Sequence, residues 1–280
     1  MKLEFSKMHG IGNDYVYVNC IERELPNPEK IAKQISQRRF SVGADGLVLI
    51  MKSDIADFKM RMFNADGSEG KMGGSATRCV GKYLYDKGLT DKTELTLETI
   101  SGIKNIVLFI EDGKVAEASV DMGKAILKPS LIPVKADGNI FISQPVMVND
   151  VEYKITAVSM GNPHAVVYVE NPDYLEIEKL GLNFEKHEIF PDRANTEFVS
   201  VLDRETIKMR VWKRGSGETF ASGTGACASV VASVLNGFCD YNTEVTVILR
   251  GGELKVTYQT DGTVIMRGSA THVFDGVIEL

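Results

Sequence analysis

The chain has 280 residues, a length that suits one large domain or two smaller ones with ample core. Its 44% hydrophobic and 25% charged residues are ordinary for a globular protein, and a net charge of −6 argues against the basic footprint of a nucleic-acid binder. No apolar run approaches the roughly 20 residues a helix needs to cross a bilayer, so the reading is a cytoplasmic protein with no membrane partner.

Strand signals dominate along the chain. The N-terminal ten residues alternate and carry charges, which reads as a first strand and not a signal peptide. Tyr15 to Val18, Gly46 to Ile50 and Phe58 to Phe63 read as further strands, the last with clear alternation. Between them, Asn27-Pro28-Glu29 predicts an N-cap with proline at the first helical position and a helix to about Arg39. A second helix is expected from about Gly74 to Lys87, stopping at Gly88. Asp112-Gly113 joins two alternating runs, Asn105 to Glu111 and Lys114 to Asp121, as a hairpin, and Asn149-Asp150 and Asp261-Gly262 do the same later. Asn171-Pro172-Asp173 repeats the earlier start signal for a short helix ending near Gly181. A last helix runs from about Thr224 to Asn236 and stops at Gly237. The second and last helices are nearly apolar around their circumference, the mark of buried helices.

The order of elements therefore runs through one set and then much the same set again. The fold class this implies is α/β (α+β): two similar lobes, each a curved, mostly antiparallel sheet or barrel around one buried helix. The strand pattern fades between Gly123 and Pro133, so the lobes are placed at 1–123 and 124–270.

Two glycine-rich segments carry the functional signal. One runs from Asn64 to Cys79 and the other from Trp212 to Cys227. Each passes from a Gly/Ser loop into a helix, so each offers backbone N–H groups to an anion. Such a pair suggests a small acidic ligand. The four cysteines, Cys20, Cys79, Cys227 and Cys239, are too sparse for a disulfide framework and form no CxxC pair, and Cys79 and Cys227 read as buried small hydrophobes. His9, His187 and His272 show no metal-ligand spacing, so no metal site is expected.

Six motifs in order resemble the diaminopimelate epimerase family, the pyridoxal-independent amino-acid racemases. They are Met8 to Asp14, Gly43 to Gly46, Asn64 to Glu69, Gly161 to His164, Arg193 to Glu197 and Arg214 to Thr219. The resemblance covers nearly the whole chain. It implies two lobes around a cleft, with strand 271–280 returning to the first lobe. It implies interconversion of LL- and meso-diaminopimelate, a step towards lysine and peptidoglycan precursors, with no cofactor. Homodimers are frequent in the family. The α-carboxylate would be held by the backbone amides of Gly74, Ser75, Gly223 and Thr224. Asn13, Asn64, Asn162, Asn195 and Arg214 fit the family's substrate-binding set, with Arg214 the charge-assisted grip on the distal carboxylate. Two cysteines would face opposite sides of the α-carbon, one a thiolate that removes the proton and one a thiol that returns it.

The family's two cysteines fall on Gly73 and Ser222. Glycine has no side chain, and a serine hydroxyl, far less acidic than a thiol, makes a poor base. Ser75 stands where the family usually has Asn, and Lys213 where it has a Glu that pairs with the substrate's α-ammonium. The departures thus cluster on the reacting centre, which reads as an epimerase scaffold that is inactivated or re-engineered. His164, beside the first cysteine position in the family, is either a remaining base or a packed, hydrogen-bonded histidine. Lys213 offers altered chemistry, as a base or Schiff-base amine, or else points to solvent or pairs with Glu218 or Glu197. Two further alternatives are a non-catalytic amino-acid-binding protein and a racemase-like paralogue for another amino acid, such as histidine.

Overall fold

The computed structural model describes residues 1–71 and 73–280. The chain divides into two compact units, Met1–Asp121 with Arg267–Leu280, and Met122–Met266. The fold is a mixed, sheet-dominated α+β one.

In the first unit the elements are β1 (Lys2–Gly10), β2 (Asn13–Asn19), α1 (Pro28–Ile35), β3 (Gly46–Met51), β4 (Phe58–Asn64), β5 (Glu69–Gly70), α2 (Gly74–Asp86), β6 (Glu94–Thr99), β7 (Gly102–Glu111) and most of β8 (Lys114–Lys124). The second contains β9 (Gln144–Val148), β10 (Val151–Ser159), β11 (Pro163–Tyr168), α3 (Ile177–Glu185), β12 (Asn195–Asp203), β13 (Thr206–Lys213), β14 (Gly217–Thr219), α4 (Gly223–Leu235), β15 (Glu244–Leu249), β16 (Gly252–Tyr258) and most of β17 (Thr263–Ser269). The last strand, β18 (Thr271–Glu279), lies antiparallel against β1 in the first unit, from Lys2 opposite Glu279 to His9 opposite Thr271.

The duplication suspected from the sequence appears in the strand pairing. In the first unit β1 and β2 form a hairpin, β2 runs parallel to β3, β3 antiparallel to β4, β4 antiparallel to β5 and parallel to β6, and β6 antiparallel to β7. The second unit repeats every step with β10, β11, β12, β13, β14, β15 and β16. The first parallel pair starts with Tyr15 opposite Gly46 and the second with His164 opposite Asn195.

Each sheet is covered on both faces. In β3 the run Gly46–Ile50 is buried throughout, because Leu47 and Leu49 join the cluster around Ile31, Ala32 and Ile35 of α1 while Val48 and Ile50 point the other way. The second helix of each unit is nearly enclosed. α2 packs on β1, β2, β4, β7 and β18, and α4 on β10, β11, β12, β13, β15 and β16. Residues Gly225 to Val234 of α4 are all buried, in keeping with their apolar sequence. α2 ends at Asp86 and α4 at Leu235, and each reaches a glycine at positive φ, Gly88 (+68°) or Gly237 (+76°), through a capping Lys87 or Asn236. The Asp112-Gly113 and Asn149-Asp150 turns have positive φ at both residues, the two-residue hairpin geometry.

Two helix expectations need correction. α1 stops at Ile35, not near Arg39, and Asn27 is left-handed (φ 48°) with no side-chain cap. The chain folds back after Ile35, so the amides of Gly43 and Ala44 satisfy the carbonyls of Ile35 and Ser36, and Arg38 reaches Asp14 (2.6 Å) and Asp45 (3.0 Å). The second start signal gives only a 3-10 turn, Pro172–Tyr174, with Asn171 Oδ1 accepting from the Asp173 amide. The α-helix that follows runs through Gly181 to Glu185. Gly181 is a packing glycine and not a stop: a Cβ there would lie 2.3 Å from the Trp212 ring.

Gly46 is the tightest such position in the first sheet, since a Cβ would lie 2.0 Å from the Phe63 backbone carbonyl across the β3–β4 pair. Gly46→Ala is expected to destabilise the protein by about 3 kcal/mol, the upper part of the overpacking range, read as a lower urea midpoint. Asp57 ties β4 to β6: it accepts from Lys92 Nζ (2.5 Å) and from the amide and hydroxyl of Thr96 (2.8 Å each). These bonds, led by Lys92, lower its carboxyl from 3.8 to about 2. A carboxyl depressed on folding stabilises fully above its unfolded pKa and loses that contribution as pH falls through the folded one. Stability should therefore decline between pH 3.8 and about 2, and Asp57→Asn should flatten that part of the curve in pH-dependent urea titrations.

Candidate functional site

In the first unit, the loop after β4 is a self-supporting turn. The Asn64 amide donates to the Ser68 carbonyl (2.8 Å), its Nδ2 to Ser68 Oγ (3.0 Å), and the Gly67 amide returns to the Asn64 carbonyl (2.9 Å). Ser68 donates both its amide and its hydroxyl to Asp66 Oδ1, which holds the Asp66 carboxyl below its usual range. Gly73 is the N-cap of α2, with extended backbone and no side-chain acceptor. Gly74 and Ser75 form the buried first turn, with Gly10 of β1 against Ser75: a Cβ on Gly10 would lie 2.9 Å from Ser75 Cβ. A Cβ at position 73 would meet the Met62 sulfur at 3.1 Å and Ala76 Cβ at 3.6 Å, so a small side chain fits once that flexible thioether yields slightly.

Asn13 opens β2 opposite Gly10 and is half-buried. Its neighbour Asp14 is bound by Lys7 and Arg38. Burial opposes ionisation of Asp14, but these two cations outweigh it and hold the carboxyl below its usual range. Asp45 beside it is pushed up by burial and by the Asp14 charge. The result is a fixed polar base under the Asn13 turn.

In the second unit the equivalent helix is capped. Ser222 Oγ accepts from the Gly225 amide (3.1 Å), and Gly223 and Thr224 begin α4. From there a chain of polar contacts runs into the sheet. Thr224 Oγ1 meets Asn162 Nδ2 at 3.4 Å, Asn162 Oδ1 lies 3.1 Å from His164 Nε2, and His164 Nδ1 lies 2.7 Å from Glu197 Oε1. His164 and Glu197 are fully buried. A Cβ on Gly225 would lie 2.7 Å from Glu197 Oε1. Glycine there lets the carboxylate lie against the first turn of α4, where the helix dipole favours negative charge. Both His164 nitrogens are thus engaged inside the fold.

Asn195 joins two segments: its Nδ2 donates to the Pro163 carbonyl (3.0 Å) and its Oδ1 accepts from the Arg214 amide (3.0 Å). Arg214 is exposed, with one guanidinium nitrogen on the Asp192 carbonyl (2.7 Å). Lys213 ends β13, half-buried, on the same strand face as Met209 and Val211 by alternation. Of its two expected partners, Glu197 is bound to His164. The carboxylate of Glu218 binds Arg210 (2.7 and 3.1 Å) and Arg250 (2.8 Å). Burial opposes ionisation of Glu218, but the two arginines prevail and keep its carboxyl below the usual range.

The sequence reading missed Glu185, whose carboxylate receives Trp212 Nε1 and the Gly215 amide. An acidic residue one helical turn after a mid-helix glycine was the available signal. Cys79 and Cys227 are fully buried, and burial pushes the Cys79 thiol up. Among the described residues no group of three or more His, Cys, Asp or Glu side chains is placed to hold a metal, and no helix is long and apolar enough to cross a membrane.

The family described as "Diaminopimelate epimerase" matches residues 5–128 and 156–273. A diaminopimelate epimerase from Acetivibrio thermocellus is 54% identical over 279 residues, covering 99% of both chains. One from Methanococcus maripaludis is 52% identical, covering 99% of this chain and all of the relative, and one from Bacillus cereus is 46% identical. Among solved structures, a hydroxyproline epimerase from Agrobacterium vitis with bound trans-4-hydroxy-L-proline superposes with a TM-score of 0.74 at 14% identity. It covers all of this chain and 93% of that one. A PhzF-family phenazine biosynthesis protein from Bacillus anthracis gives 0.71 at 19%, covering both chains fully; these two likenesses concern the fold alone. With a family match over most of its length and full-length relatives at about half identity, the chain belongs to the diaminopimelate epimerase family and is by family an isomerase.

Proposed function

We propose that this chain binds a small amino-acid dicarboxylate of the diaminopimelate type and lacks the two-thiol proton transfer that the family pattern provides. The observation that carries this reading is the state of the two cysteine positions. Gly73 presents no acid or base, and the Ser222 hydroxyl is committed to the Gly225 amide as an N-cap. A thiol at a helix N-terminus is acidified to a pKa of about 3.5–7.5 and supplies a thiolate near neutral pH. A hydroxyl in the same place stays protonated; it can donate, and it removes an α-proton poorly.

The binding parts are retained on this reading. Gly74 and Ser75 on α2 in one unit, and Gly223 and Thr224 on α4 in the other, each supply the kind of first-turn amides that bind a carboxylate. Asn13 and Asn64 in the first unit, and Asn162, Asn195 and Arg214 in the second, supply polar groups on stiff strand ends and a fixed turn. Arg214 takes the distal carboxylate through a charge-assisted pair. His164 acts from inside the fold, holding Asn162 towards Thr224. Lys213, in place of a carboxylate, disfavours the α-ammonium of a substrate and weakens binding relative to a glutamate there.

α-Proton exchange in D₂O with LL- and meso-diaminopimelate, followed by NMR, tests the catalytic half. No deuterium uptake is expected from this chain. Uptake is expected to return, by at least about a thousandfold over background, when Gly73→Cys, Ser75→Asn, Lys213→Glu and Ser222→Cys are combined, since general acid–base groups contribute about 10²–10⁴-fold each. Ready exchange by the unaltered chain would sink this reading. Calorimetry tests the binding half: a folded protein giving no heat at millimolar diaminopimelate would remove it.

A further inference from the structure

We propose that Glu185 is a positioning residue that sets the specificity of this site by fixing the Arg214 loop for a distal carboxylate. The inference rests on the role proposed for Arg214. Glu185 ends α3, and its side chain is 3% exposed. Its two oxygens serve two donors on opposite sides of the Lys213-Arg214 pair. Oε2 accepts from the Trp212 indole (2.8 Å) and Oε1 from the Gly215 amide (3.1 Å). One carboxylate therefore clamps the residue before the pair and the residue after it.

The clamp is built into the helix. One turn earlier, Gly181 leaves a bare patch on which the Trp212 ring lies, so the same helix face supports the indole and takes its N–H. Arg193 Nη1 stands 3.5 Å from Oε1 and offsets the buried charge. A third tether, from the Arg214 amide to Asn195, completes the frame.

The loop needs such a frame. Gly215 and Gly217 both have positive φ, and a Cβ on Gly215 would meet nothing within 4 Å. The turn's own bond is the Ser216 amide on the Lys213 carbonyl (3.0 Å). Without Glu185, the loop would be held by the Asn195 tether and the β13–β14 pairing alone, and binding would bear more of the entropy of ordering the arginine. A neutral glutamine cannot replace the clamp: one oxygen accepts, and its NH₂ then faces the other N–H donor.

Trp212 is the single tryptophan of the chain, so intrinsic fluorescence reads the clamp directly. The full chain, Glu185→Gln and Arg214→Met are titrated with meso-diaminopimelate and with L-lysine, which lacks the distal carboxylate. Glu185→Gln is expected to shift Trp212 emission to the red, weaken diaminopimelate binding about tenfold, as for loss of a charge-assisted bond, and leave lysine binding within about twofold. Arg214→Met should abolish the preference for diaminopimelate outright. If it does and Glu185→Gln leaves the preference intact, whether both affinities hold or fall together, the inference is overturned and Glu185 is only structural. If Arg214→Met changes nothing, or the unaltered chain binds neither ligand, the functional reading fails instead. Should Glu185→Gln not fold, Trp212→Phe keeps a ring on Gly181 and deletes the donor. Calorimetry on that variant should show a smaller loss with the same ligand pattern, and an unchanged preference there equally overturns the inference.

Discussion

A helix enclosed by sheet has only its ends to offer. α2 and α4 are each packed against five or six strands, so most of their side chains are spent on the core and their first-turn amides have no partner within the helix. Everything near the candidate site follows from how those amides are approached. Bulk is stripped away there: Gly10 lies against Ser75, Gly225 admits Glu197, and Gly73 and Gly223 flank the helix starts. The same demand explains why the segments proposed to bind a ligand are glycine-rich.

The two units meet this demand differently despite their shared strand pairing. α4 has an internal cap in Ser222, and a buried imidazole–carboxylate pair behind it that reaches the helix start through Asn162 and Thr224. α2 has no side-chain cap, and in its unit the strand end at Asn13 is backed by the ionic cluster of Lys7, Asp14, Arg38 and Asp45. A buried dyad and an ionic cluster are two answers to one problem, holding a strand end rigid beside a helix start.

Much of this was legible in the sequence because it is local. Hairpin turns were announced by Asp112-Gly113 and Asn149-Asp150, residue types that tolerate positive φ, and the buried helix α4 by its nearly apolar circumference. Family membership followed from six short motifs in order. The misreadings were local signals overruled by distant partners. The helix after Asn27 ends early because Arg38 is drawn to Asp14 and Asp45 and because Gly43 and Ala44 cap its carbonyls. Gly181, which resembles a stop, is occupied by the Trp212 ring from a strand 31 positions further on.

The sequence by itself determined the element types, the repeated order and the family, since each is written in adjacent residues. Only the tertiary structure decided the partners. His164 could be read as a free base until the parallel pairing of β11 with β12 brought Glu197 to its ring. Glu185 carried no motif until α3 set it beneath the Arg214 loop. Hydrogen bonds and charge pairs act over about 3 Å in space, and no spacing along the chain records which residues folding brings within that reach.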